Sequence, residues 1–214
     1  MALQKIAAFS DGTEGGNPAG VWIGDALPCP ADMQRIAAVA GFSETAFAAP
    51  LGDGRWRVRY FAPESEVPFC GHATIALGAA LAQREGDGVF ALSLSQAEIT
   101  VEGRRAGDLV QAALQSPPTR SGPVPAGLLA DALALFGLSA ADLDPRIPPA
   151  LIHGGADHLV VALRSRAVLA AMHYPLDAGR TLMVNAGLVT IVLVWVESDR
   201  LLHTRNAFAS GGVL

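Results

Sequence analysis

A chain of 214 residues is long enough to bury a real core, as one large domain or two small ones. With 51% hydrophobic and only 16% charged residues it is not a disordered chain, and a net charge of -5 with Lys5 as the one lysine leaves no footprint for nucleic acid. Two cysteines, Cys29 and Cys70, make no disulfide framework and fit a reducing compartment.

The first ten residues hold one lysine and no long apolar run, so no signal peptide is read there. Residues 4–9 read as a short apolar strand entering a turn, Asp11-Gly12-Thr13-Glu14-Gly15-Gly16-Asn17-Pro18, after which Val21-Trp22-Ile23 resumes as a strand. Residues 31–40 carry Met33, Ile36, Ala37 and Ala40 at helical spacing, and Gly41 stands where a C-cap glycine belongs. Residues 45–49 and 55–61 follow as strands, 63–68 as a loop, and 73–83 as a helix of small residues. Residues 89–94 and 97–101 read as two more strands.

Residues 116–125 are dense in proline, serine and glycine, which predicts a linker between an N-terminal half, 1–115, and a C-terminal half, 126–214. Beyond it, residues 128–138 predict a helix ending near Gly137, 159–163 a strand, 167–172 a short helix and 188–196 a strand. The last of these runs is apolar but about half the ~20 residues a membrane helix needs, and its β-branched content makes it a buried strand. A soluble, cytoplasmic protein with no membrane partner is expected. Arg205-Asn206-Ala207-Phe208-Ala209-Ser210 echoes Arg59-Tyr60-Phe61-Ala62-Pro63, which predicts that the order of elements restarts in the second half.

Three segments carry candidate chemistry. In Pro68-Phe69-Cys70-Gly71-His72-Ala73-Thr74 a glycine joins a strand to a helix, and the first-turn N–H groups and helix dipole favour an anion such as a substrate carboxylate. His72 adds a group that titrates near neutrality; the alternative is a glycine turn with a capping histidine. In Ser43-Glu44-Thr45-Ala46-Phe47, Glu44 enters a hydrophobic strand. It is either a desolvated carboxyl suited to general acid/base work or an exposed first strand residue. Asn17, in Gly16-Asn17-Pro18-Ala19-Gly20, is either a turn residue or a ligand contact. Cys70 is either a thiolate base of lowered pKa at a helix N-terminus or a small buried hydrophobe. No dinucleotide, Walker or nucleophile-elbow motif occurs, and His153 and His158 lack metal-ligand spacing, so no cofactor and no metal are expected.

Taken in order, Ala8-Phe9, Gly16-Asn17-Pro18-Ala19, the helix at 33–40, Ser43 to Phe47, Arg59 to Pro63 and Glu66 to Thr74 resemble the phenazine-biosynthesis PhzF-like family. The match is by motif to Thr74 and by pattern beyond it. The resemblance implies an α/β (α+β) fold of two similar halves, each a curled mixed sheet around a central helix, as in diaminopimelate epimerase, with the active site between them. It further implies a cofactor-independent isomerase of the trans-2,3-dihydro-3-hydroxyanthranilate type acting on a small carboxylate-bearing molecule, and a homodimer. Glu44 would be the acid/base, Gly71 and His72 would hold the substrate and assist the transfer, and Asn17 would line the same site. Family members carry a second motif, Glu-Asp-Pro-x-Thr-Gly-Ser, where this chain reaches Gly211-Gly212-Val213-Leu214. A C-terminal half without that motif and its helix is therefore expected, its apolar strands at 159–163 and 188–196 lacking a packing partner. An epimerase or racemase using Cys70, and a non-catalytic binding protein, stand as the alternatives.

Overall fold

The computed structural model describes residues 2–12 and 14–214. The chain divides into two compact units after Pro118.

The first unit is one mixed sheet curled about one helix. In chain order its elements are β1 (Gln4–Asp11), β2 (Glu14–Ile23), α1 (Pro30–Ala40), β3 (Thr45–Gly52), β4 (Arg55–Phe61), β5 (Glu66–Val67), α2 (Gly71–Glu85), β6 (Gly88–Ser93), β7 (Glu98–Ala106) and β8 (Leu109–Gln115). The sheet runs β1-β2-β3-β4-β6-β7-β8, with β5 paired to β4. The β2–β3 and β4–β6 pairs are parallel and cross over through α1 and α2, whereas consecutive strands joined by short turns are antiparallel. Helix α2 touches β1, β2, β3, β6, β7 and β8, which is why it is buried almost all round from Ala73 to Ala82. Its alanines and Gly78 let the sheet close tightly. A Cβ on Gly78 would stand 2.4 Å from a Val101 methyl, and one on Gly103 would stand 2.4 Å from the Gly78 carbonyl. On the outer face α1 packs Met33 and Ala37 against Phe47 and Phe61. It ends as expected, Gly41 adopting a left-handed φ of 69° and returning its N–H to the Ala37 carbonyl.

The second unit holds β9 (Arg120–Pro123), α3 (Ala126–Leu135), β10 (Ala150–His153), β11 (Asp157–Leu163), α4 (Arg166–Ala170), α5 (Leu176–Asn185), β12 (Thr190–Ser198) and β13 (Leu201–Ala207), with sheet order β13-β12-β11-β10-β9. The restart read in the sequence is a repeat of topology. The run β10–β11–β12–β13 pairs antiparallel, parallel, antiparallel, as β1–β2–β3–β4 does, with helix between the parallel strands both times.

Several expectations are corrected. Residues 120–123, placed in the linker, form β9 and pair with β10, because backbone hydrogen bonding to a neighbouring strand overrides weak strand composition. The loop at 63–68 contains β5. The turn at 11–18 is narrower than predicted: Asn17 and Pro18 already pair with Ala8 and Ala7 within β2, and Thr13 lies outside the described residues. Strands β8, β10 and β13 and helix α5 had no clear periodic signal. The strands at 159–163 and 188–196 do have a packing partner. Leu159, Val161, Leu163, Ile191 and Leu193 are buried in one cluster with residues of α3, α4 and α5, since each strand offers alternate side chains to two faces and one face is covered.

Candidate functional site

Glu44 stands at the approach to β3, between the αL end of α1 and the first strand pair. Its position is set by the backbone: the Gly20 N–H on β2 donates to the Glu44 carbonyl at 3.2 Å, and Gly20 pairs with Thr45. Only glycine fits there, since a Cβ on Gly20 would meet the Thr45 hydroxyl oxygen at 2.6 Å. The glycine-rich segment therefore does steric work beyond its turn. At Gly16, φ is +76° and a Cβ would lie 2.6 Å from the Ala8 carbonyl.

Cys70 and His72 come from the start of α2, which is held from behind. Thr74 donates its hydroxyl to the Cys70 carbonyl at 2.7 Å, so the buried Tyr60 hydroxyl, 2.7 Å from Thr74 Oγ1, donates to Thr74 in turn. Arg59 grips Glu66 through two hydrogen bonds of 2.7 and 2.6 Å, fixing the β4–β5 hairpin that leads into the segment.

These supports bring three functional groups together. His72 Nδ1 lies 3.2 Å from Cys70 Sγ, and His72 Nε2 lies 3.6 Å from Glu44 Oε2 and 3.5 Å from Ser43 Oγ. Glu44 is 9% exposed, which removes the reading of an exposed strand-start carboxylate. Burial pushes its carboxyl above the ordinary range, and hydrogen bonds from Ser43 and Cys70 only partly oppose this. Burial also lowers His72, which is neutral at neutral pH. The Cys70 thiol lies between two acceptors, the Glu44 carboxyl and His72 Nδ1, and its one proton serves only one of them at a time.

Cys70 departs from the thiolate reading. Its pKa is raised well above the usual thiol value, first by complete burial and then by the Glu44 charge. The backbone N–H groups of Ala73 and His72 favour the anion but do not prevail. Those two amides serve the sulfur, so the first turn of α2 offers a substrate fewer free donors than expected. Gly71 keeps open space: an added Cβ there would meet nothing within 4 Å. Asn17 is exposed on β2, opposite Ala8, and no side-chain hydrogen bond joins it to Glu44, Cys70 or His72 among the described residues. Ser43 and Gly20 were not singled out from sequence; their proximity to two motif residues was the available signal.

One ligand atom from each of Glu44, Cys70 and His72 lies within 4.8 Å of the others, a donor set of the kind that binds zinc. No helix among the described residues is long and apolar enough to cross a membrane.

The profile of the family described as phenazine biosynthesis-like protein (PhzC-PhzF) matches residues 6–214. A trans-2,3-dihydro-3-hydroxyanthranilate isomerase of Pseudomonas fluorescens is 33% identical over 172 residues, covering 78% of this chain and 59% of the relative. An uncharacterized isomerase of Deinococcus radiodurans is 49% identical over 79 residues, covering 37% of this chain and 26% of the relative. The chain thus spans less than two thirds of the length of these relatives. A PhzF-family phenazine biosynthesis protein of Bacillus anthracis has the same fold, with a TM-score of 0.77 at 21% identity over 99% of this chain and 73% of its own.

Proposed function

The chain belongs to the phenazine biosynthesis-like (PhzC-PhzF) family, and from that premise we propose that it is an isomerase moving a proton within a small carboxylate-bearing molecule without a cofactor. The observation that carries the reading is the buried Glu44 carboxyl held beside a neutral His72. A carboxyl whose pKa is raised by burial is a stronger base than an exposed one. It can therefore take a proton from one carbon and return it to another. His72, neutral and with Nε2 3.6 Å from Glu44, exchanges a hydrogen bond with the substrate or with Glu44 as charge shifts. The open backbone at Gly71 receives the substrate carboxylate. Asn17, exposed on β2, contributes a further polar contact to the substrate.

Relatives named trans-2,3-dihydro-3-hydroxyanthranilate isomerase make that dihydroaromatic acid the first substrate to assay. The racemase alternative is disfavoured by the protonated state of Cys70, because a thiol of raised pKa is a poor base.

The test is proton exchange in deuterated water followed by NMR. The 214-residue chain should place solvent deuterium on a ring carbon of trans-2,3-dihydro-3-hydroxyanthranilate as it isomerises. Glu44→Gln should lose ~10²–10⁴-fold in rate with its fold intact. A fully active Glu44→Gln protein would remove the assignment, and anion binding without turnover by the purified chain would support the binding-protein alternative.

A further inference from the structure

The Glu44–Cys70–His72 cluster combines one carboxylate oxygen, one sulfur and one imidazole, all within 4.8 Å of one another. In a tetrahedral zinc site with bonds of about 2.0 to 2.3 Å, ligand atoms stand roughly 3.3 to 3.7 Å apart. The Cys70 Sγ–His72 Nδ1 separation of 3.2 Å is already close to that range; the Glu44 oxygen stands 3.6 Å from the other ring nitrogen, Nε2, and a rotation of its side chain toward Nδ1 completes the set.

Preorganisation strengthens the case. Cys70 and His72 sit on the first turn of a helix buried nearly all round, tied back through Thr74 and Tyr60, and Glu44 is pinned by the Gly20 amide. Two elements thus present three ligands without a folding step. Mixed sulfur, nitrogen and oxygen donors select against magnesium and calcium, which take oxygen alone, and favour Zn²⁺ or Co²⁺. Loss of the thiol proton to solvent would leave two negative ligands to balance the dication in a low-dielectric pocket. Three protein ligands leave a fourth position for water, as in open zinc sites.

We propose that Glu44, Cys70 and His72 form a binding site for one borderline-soft divalent cation, Zn²⁺ foremost. Where the isomerase reading holds, the ion occupies the Glu44 oxygen that the reaction needs, so the site is inhibitory. Binding itself does not depend on that reading.

The experiment uses the full chain carrying Cys29→Ser, because Cys29 is exposed and its sulfur lies 3.3 Å from an Asp32 oxygen, a second place where a metal could lodge. The protein is stripped with chelator, then titrated with Co²⁺ and back-titrated with Zn²⁺. The expected result is one Co²⁺ per chain, a near-ultraviolet thiolate-to-cobalt charge-transfer band, and displacement by one equivalent of Zn²⁺. Cys70→Ala should abolish the band, and Glu44→Gln should keep it while weakening affinity by at least about tenfold. Absence of the band, binding that survives Cys70→Ala unchanged, or an unaltered affinity in Glu44→Gln would each overturn the proposal. Should Cys70→Ala fail to fold, protection of the single remaining thiol from N-ethylmaleimide by one equivalent of Zn²⁺ decides the matter, an unchanged alkylation rate counting against the site. Since no substrate is used, a negative result leaves the isomerase assay standing, and a failed isomerase assay leaves metal binding untouched.

Discussion

Ionising Glu44 costs the fold free energy, because its carboxyl is buried beside an imidazole that is itself neutral. Its proton is held more tightly in the folded than in the unfolded chain. Its contribution to stability is therefore fully present below the ordinary carboxyl value of 4.5 and is lost as pH rises through the raised folded value. Glu44→Gln should accordingly melt above the wild type at pH ~8, and the gap should close on acidification below the ordinary value, measured as Tm against pH. His72 runs the other way in both proteins: its contribution is present above 6.5 and lost as pH falls through its lowered folded value. At Gly71 the added methyl of Gly71→Ala meets open space, so stability should change by less than roughly 1 kcal/mol in urea unfolding. The same methyl stands where the substrate carboxylate is proposed to bind, so KM should rise. An unchanged KM would place the carboxylate elsewhere. Glu44, Gly71 and His72 were legible in the sequence because each sits in a compact motif, whereas the state of Cys70 was not. Helix position argues for a lowered thiol pKa, and only three-dimensional burial next to Glu44 reverses the sign.

At the scale of elements, helix α2 organises the first unit. Its run of alanines and Gly78 is readable as helix, but the reason for the small residues lies in β7, whose Gly103 and Val101 press against it. Gly20 plays the equivalent part between β2 and β3. Gly20→Ala would push a Cβ to 2.6 Å from the Thr45 hydroxyl oxygen, and the Thr45 and Phe42 side chains on either side of Glu44 must shift to relieve it. A loss of about 1–3 kcal/mol by denaturant unfolding is expected, together with a fall in turnover larger than the change in folded fraction explains. If activity per folded molecule stays at the wild-type value, Gly20 does not position Glu44. Helices and strands with strong periodicity, such as α1, β3, β4 and β12, were visible in the sequence. Strands β8, β9 and β13 were not, because their pairing partners rather than their composition make them strands.

On the scale of the whole molecule, each unit owns its own core: α2 within the curled sheet in the first, and the sheet packed on α3, α4 and α5 in the second. Residues 1–118 expressed alone should therefore unfold cooperatively in urea and retain the Cys70–His72–Glu44 cluster. A non-cooperative transition would show that the first unit depends on the second. By itself the sequence determined the class of fold and the family resemblance, and it singled out the motif residues of the candidate site. Those properties depend on local spacing, glycine positions and hydrophobic periodicity. Tertiary structure alone decided that residues 120–123 join a sheet, that Asn17 lies exposed within β2, and that the thiol between Glu44 and His72 keeps its proton. Each of these depends on which groups become neighbours after the chain folds, and desolvation and strand pairing act between residues that no local window contains.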